Sequence, residues 1–257
     1  QNSIIIAGIV NDTGLIPIIN SSVTQQRVDI GITIIDSSGR HYLVSTYYGG
    51  EGAEDVFDMY VEQDDEIVLT GWTSSKNLPG ASAALCSAAS INAFVARLDP
   101  RAAPVSARCV GGVGDERFYA AGPASCGNIN LYGATSSSDY PLTTAYDPLA
   151  KYNNPVVTVL DSSMSTILYS SYVDLRIDNK DPLLPNLALF GSNSYLHFWT
   201  YESSPQRLKT FNAISNTVQG SLDAWVARLY VPACKKLDVR VSVLDTIVLV
   251  GKDSLAA

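Results

Sequence analysis

The stretch Ile67-Val68-Leu69-Thr70-Gly71-Trp72-Thr73-Ser74-Ser75 decides how this chain is read. A short apolar run meets a glycine, and a polar turn follows. Ile4-Ile5-Ile6-Ala7-Gly8 and Ile129-Asn130-Leu131-Tyr132-Gly133 repeat the run. Ile247-Val248-Leu249-Val250-Gly251 is a fourth version, and Leu196-His197-Phe198-Trp199 a degenerate fifth. β-Branched and aromatic enrichment over four or five residues favours strand over helix. Each glycine is followed at a fixed distance by a stop. Gly8 to Asp36, Gly71 to Asp99 and Gly133 to Asp161 are each 28 residues, and Trp199 to Tyr230 stretches to 31. Such a period marks a repeated structural unit.

Working outward, the polar turns Thr73-Ser74-Ser75 and Thr135-Ser136-Ser137 lead to Pro79 and Pro141, with Pro17 in the matching place of the first copy. Proline there ends a strand. A loop of differing composition, expected to vary in length, comes next. A second strand follows it at residues 28–36, 92–99, 154–161 and 223–230. A third lies at 42–50, 105–112 and 167–174, the first two copies ending in a double glycine. A fourth lies at 56–62, 117–124, 183–190 and 237–244. Each unit is four short strands in about 62 residues. No 3.6-residue apolar period persists for three turns, and residues 81–93 allow at most a short helical turn. Helix-free repeats of four antiparallel strands predict an all-β fold, a β-propeller of about four to five four-stranded blades. Neighbouring sheets would bury both faces of each blade, as the nearly continuous apolar strands require. An array of β-sandwiches is the second choice, although its units are longer.

Composition sets limits on function. Of 257 residues, 46% are hydrophobic and 16% charged, and the formal charge is −8. This is an ordered chain with a weakly charged surface, without the basic footprint of a nucleic-acid binder. No apolar run is long enough for a membrane-spanning helix, and no signal sequence opens the chain. The four cysteines, Cys86, Cys109, Cys126 and Cys234, include no CxxC pair, so two disulfides and an oxidising compartment are expected rather than zinc. Three connectivities are open. Cys109–Cys126 closes the shortest loop and leaves Cys86–Cys234.

Several of these segments resemble a known family. Asn92-Ala93-Phe94-Val95-Ala96-Arg97-Leu98-Asp99 is similar to the DAFVAKLD core of the bacterial β-propeller repeat called SBBP. Ser45-Thr46-Tyr47-Tyr48-Gly49-Gly50 resembles its STYLGG, and the run 67–75 its AYVTGYTSS. The likeness covers most of residues 1–230 and weakens at Val173-Asp174 and Trp199. It implies a propeller in secreted or cell-surface proteins, often one module of a longer chain, with no shared catalytic residues. The register places residue 1 in mid-blade. The repeats then occupy 1–236, and 237–257 form a terminal strand pair that closes the ring or pairs with a neighbour. Exposed strand edges favour such pairing.

Candidate sites are few. No GxSxG, HExxH or phosphate-binding loop is present, and Gly111-Gly112-Val113-Gly114-Asp115 joins two strands. His41 and His197 read as an exposed turn residue and a packing residue. Glu51, Glu54, Asp55 and Asp58, and likewise Glu62, Asp64, Asp65 and Glu66, read as solvated turns without calcium-loop spacing. Arg97 and Arg228 share a repeat position and read as edge or inter-unit hydrogen-bonding residues. Trp72, Tyr140, Tyr146 and Tyr152 lie where loops leaving one face could stack them on a sugar, with half-buried packing the stronger reading. Asn11 and Asn20 head N-glycosylation triplets. No catalytic residue, cofactor or metal is expected. The leading expectation is a non-enzymatic extracellular structural or adhesive module, joined to copies of itself or to other surface proteins. A carbohydrate-binding propeller is the first alternative and a propeller hydrolase or lyase the second.

Overall fold

Every segment that the repeat marks as a strand, within the described residues, is one. The computed structural model describes residues 3–11, 16–19, 28–82, 86, 91–143 and 155–172, together with the backbone of residue 154 and of the segments 195–202, 223–230 and 246–247. The first sheet, sheet I, contains β1 (Ile4–Val10), β2 (Asp29–Ile35) and β3 (Tyr42–Tyr48). Sheet II contains β4 (Glu54–Val61), β5 (Ile67–Thr73), β6 (Asn92–Leu98) and β7 (Pro104–Val110). Sheet III contains β8 (Glu116–Pro123), β9 (Ile129–Thr135), β10 (Asn154–Leu160) and β11 (Ile167–Tyr172). Sheet IV contains β12 (Tyr195–Glu202), β13 (Asp223–Tyr230) and β14 (Thr246–Ile247). All strand pairings are antiparallel, in chain order, and no sheet closes on itself. The helical content of the described residues is one 3₁₀ turn, Ser125–Gly127.

The fold class is therefore all-β, in units of three or four strands. The expected fourth strands at 183–190 and 237–244 lie outside the described residues. Of the fourth version of the glycine-stop run, 247–251, only Ile247 is described, together with the preceding Thr246. They pair with Ala227 and Val226 of β13, in the place that β3, β7 and β11 take in their own sheets.

Alternation along the strands explains the stacking of the sheets. On sheet II, Ile67, Leu69, Phe94, Ala96 and Leu98 join one core with Ile30, Ile32 and Tyr48 of sheet I. Their neighbours Val68, Ala93 and Val95 point the other way and pack on Phe118, Leu131 and Val156 of sheet III. Sheet II is buried on both faces, and each of its large apolar side chains contributes about 1.5–3 kcal/mol.

The two ends of the 28-residue period have separate causes. Register slips between Val56 and Asp58 of β4, opposite Gly71, and between Phe118 and Ala120 of β8, opposite Gly133. Each bulge drives a carbonyl inward, so a Cβ on Gly71 would strike Asp55 O and one on Gly133 would strike Arg117 O. The extra residues, Phe57 and Tyr119, pack as a tilted pair with ring centroids 5.2 Å apart. At the other end, Asp36, Asp99 and Asp161 cap the hairpin turns that follow. Asp99 Oδ1 accepts from the amides of Arg101 and Ala103, both at 2.8 Å, and Asp161 Oδ1 accepts from Thr166 at 2.9 Å. The third residue after each aspartate, Gly39, Ala102 or Met164, takes a positive φ of 70°, 59° or 58°.

Candidate functional site

Among the described residues the same polar network is built twice, once where sheet I meets sheet II and once where sheet II meets sheet III. Glu54 opens β4 and has no exposed surface. Its Oε1 accepts from Thr73 Oγ1 and Ser75 Oγ, both at 2.6 Å, and its Oε2 accepts from the Gly50 amide at 3.0 Å. Glu116 opens β8 and repeats this. It accepts from Thr135 Oγ1 at 2.5 Å, from Ser137 Oγ, and from the Gly112 amide at 3.0 Å. Ser75 Oγ and Ser137 Oγ in turn accept from Gly52 N and Gly114 N, each at 2.7 Å. Burial raises the Glu116 carboxyl above the ordinary range, against the lowering effect of the Ser137, Thr135 and Gly112 bonds. The double glycines leave room for this wiring. A Cβ on Gly49 would overlap Asp29 Oδ1 and Glu54 Oε2, and one on Gly111 would overlap Glu116 Oε2 and Asn92 Oδ1.

One expectation is corrected here. Glu54 is not part of a solvated turn, because its carboxylate is enclosed by the donors just named. In the polar turns Thr73-Ser74-Ser75 and Thr135-Ser136-Ser137 the outer two residues are buried and the middle serine is exposed. The signal was present in the sequence, as a glutamate four residues after each second glycine with Thr-Ser-Ser starting 19 residues later. Gly111 to Asp115, the glycine-rich link, is this network's loop.

The three long loops are strapped down rather than free. They are also equally long, occupying residues 11–28, 74–91 and 136–153, which corrects the expected variation in length. Each lands on the outer edge of the third strand of its own sheet. Ile19 and Ser45 exchange amide bonds at 2.9 and 3.0 Å, Ala107 N donates to Gly80 O at 2.9 Å, and Thr143 N donates to Ser170 O at 3.2 Å. Strand pairing makes Tyr47, Cys109 and Tyr172 equivalent, opposite Gly31, Phe94 and Val156. All three hold the loop. Tyr47 Oη donates to Ile16 O at 3.3 Å, Cys109 is bonded to Cys86, and Tyr172 Oη donates to Ser137 O at 3.1 Å.

The disulfide does not take the shortest loop. Cys86 and Cys109 pair across 23 residues, because Cys86 lies in the loop that folds over β7. Cys126 is also disulfide-bonded, and Cys234 lies outside the described residues. Of the loop aromatics, Tyr140 is buried at 3% exposure, with its hydroxyl 2.7 Å from Thr158 Oγ1 and its ring against Tyr172. It offers no face to a sugar. Trp72 is half-buried and hydrogen-bonded to Asp55. Tyr146, Tyr152 and Asn20 lie outside the described residues, and Asn11 is exposed. His41 is exposed, with Nδ1 2.9 Å from Asp36 Oδ2, which holds that carboxyl well below the usual range.

Arg97 has the bridging role expected of it. Its Nη1 donates to Ser162 O of sheet III at 2.7 Å, while Glu62 and Glu66 lie 3.2 Å from Nη2 and Nε. Arg108 Nη1 reaches Met164 O and Ser165 O at 3.1 and 2.5 Å. Glu62, Asp64 and Glu66 bring carboxylate oxygens within 4.8 Å of one another, and the Arg97 guanidinium supplies their counter-charge.

No protein-family model and no curated protein matches this chain. Among the described residues no helix is long and apolar enough to cross a membrane.

Proposed function

We propose that this chain is a non-enzymatic, extracellular, propeller-type structural module that assembles with copies of itself or with other surface proteins. The observation that carries this reading is the buried-glutamate network repeated at both junctions. Like sheets stacked face to face through an identical junction are what a radial blade array needs. The carboxylates that burial would make chemically distinctive are committed to framework donors, which supports a scaffold over a catalyst. The Cys86–Cys109 disulfide supports an oxidising location. The burial of Tyr140 weakens the sugar-binding alternative.

The test is light scattering and electron microscopy of the chain produced with its disulfides intact, alone and with cell-surface extracts. Concentration-dependent assemblies, or capture of a surface protein, support the reading. A solitary closed monomer that binds neither overturns it.

A further inference from the structure

The sheets are of two kinds, and the kinds alternate along the chain. In sheet I Thr33 faces Ser45, and in sheet III Thr158 faces Ser170, with hydroxyls 3.3 and 3.4 Å apart. Sheet II has Ala96 facing Ala107 at that place. The turns follow the same division. Asp36-Ser37-Ser38 and Asp161-Ser162-Ser163 open turns in which the aspartate amide donates to the carbonyl five residues on, at 3.0 Å in both. In sheet II the amide of Asp99 donates to Ala103 O, four residues on. Sheets II and IV make up the second kind. β6 carries Ala93-Phe94-Val95-Ala96-Arg97-Leu98 and β13 carries Ala224-Trp225-Val226-Ala227-Arg228-Leu229, which differ at one position. The structural repeat is therefore a pair of unlike sheets.

Where sheet II lies on sheet III, the second kind covers the first. Val68, Ala93 and Val95 share a core with Ile129, Leu131 and Leu160, and Ile129 and Leu131 keep no exposed surface. At the turn end of this face Arg97 Nη1 donates to Ser162 O at 2.7 Å. Sheet I has a matching face. Ile5 and Ala7 pack on the core shared with sheet II, so Ile4 and Ile6 lie on the opposite side. They hold the repeat positions of Ile129 and Leu131 and are 47% and 54% exposed. Tyr42, at the place of Ile167, is 53% exposed, and Ser37, at the place of Ser162, is also exposed. This face is apolar, and it ends in the kind of turn that takes an arginine. Sheet II already uses its own covering face on sheet III. β13 is the other strand of that kind in the chain.

From this alternation, and resting on the propeller-type reading above, we infer that the face of sheet I bearing Ile4 and Ile6 is the docking surface for β13 of the same chain. Arg228 then serves the turn 36–41 as Arg97 serves the turn 161–166, through a charge-assisted bond to a backbone carbonyl. The order I, II, III, IV and back to I sets unlike sheets together at every junction. A ring with an odd number of sheets would force two of one kind together, so the alternation favours four. The continuity of the pattern carries the inference: the II–III interface is the template, and each class of residue it uses recurs on sheet I or in β13.

The experiment puts the photoreactive residue p-benzoylphenylalanine in place of Tyr42 in the full chain. Dilute protein is illuminated, and the cross-linked peptides and the mass of the product are read by mass spectrometry. The expected link falls within residues 223–230, in a product with the mass of one chain. The same label in place of Val113, 70% exposed at the opposite end of the strands, gives no link to 223–230. Ile6→Asp supplies a second reading. Beneath a docked sheet it buries a charge and lowers the melting temperature by more than about 5 °C, whereas on an open face the shift stays below about 2 °C. Arg228→Ala lowers the yield of the cross-link at least threefold. A link to 223–230 in a product of two-chain mass means that a second copy fills the face, and it overturns the inference. So does the absence of that link together with a neutral Ile6→Asp. Neither result removes the assembly reading, which fails separately if the unlabelled chain stays solitary in light scattering and captures no surface protein.

Discussion

The junction of sheets I and II and the junction of sheets II and III share one hydrogen-bond plan and differ in where the charge sits. The first contains Asp29 with Glu54 inside and Asn77 at its rim; the second contains Asn92 with Glu116 inside and Asp139 at its rim. Asn77 Oδ1 accepts from Glu51 N and Asp139 Oδ1 from Val113 N, both at 2.9 Å, so amide and carboxylate have traded places without moving a bond. The second junction adds the Arg97 and Arg108 clamps. The repeat position of Arg97 in sheet I is Ile34, which is part of the apolar core. The backbone plan is therefore fixed, while the electrostatics of each junction are adjustable.

The strongest way to break the comparison is to remove each glutamate. Glu54→Ala and Glu116→Ala each strand two hydroxyls and an amide, and each should cost about 4 kcal/mol in urea unfolding. A large inequality would show that the neighbouring Asp29 or Asn92 governs its junction. Cleaving or replacing the Cys86–Cys109 bond should cost about 3 kcal/mol from loop closure alone, read as a lowered urea midpoint under reducing conditions. Sheet II, which bears the bond, should then lose hydrogen-exchange protection in its long loop before sheet III does.

Asn92→Asp makes the second junction resemble the first and should destabilise by about 2 kcal/mol at pH 7, less at pH 5. The wild-type Glu116 gives a related signal. Its folded carboxyl titrates above the unfolded value, so the folded state holds a proton that the unfolded chain has released. Stability from this source is present at low pH and is lost as pH rises through the folded value. Glu116→Gln should flatten that slope in pH-dependent melts. The smallest effect concerns the turns. Ala102→Gly relieves a φ of 59° and should stabilise by about 0.5–1 kcal/mol, whereas Gly39→Ala should do the reverse.

The strands were legible because glycine and aspartate mark the bulge and the turn, both of which depend on nearby residues. Strand order followed from spacing alone. Arg97 could be read as a bridge from its recurrence at Arg228. The junction networks were not legible residue by residue. Glu54 lies in the run Glu51-Gly52-Ala53-Glu54-Asp55, which resembles a surface turn until Thr73 and Ser75 are brought beside it. The disulfide was hidden for a related reason. Sequence distance favoured Cys109–Cys126, but the fold of the loop over β7 brings Cys86 to Cys109. Packing was the stronger reading of Tyr140, but its partners Tyr172 and Thr158, more than a dozen residues away, were not legible from the loop sequence.

The strapped loops have a consequence for engineering. Each leaves its sheet after Val10, Thr73 or Thr135 and returns before Asp29, Asn92 or Asn154, touching down at one equivalent residue of the third strand. With departure, landing and return fixed, and with a tether that tolerates either tyrosine or cystine, the intervening residues behave as a cassette. Foreign peptides of matching length could be exchanged there three times over on a single rigid chassis.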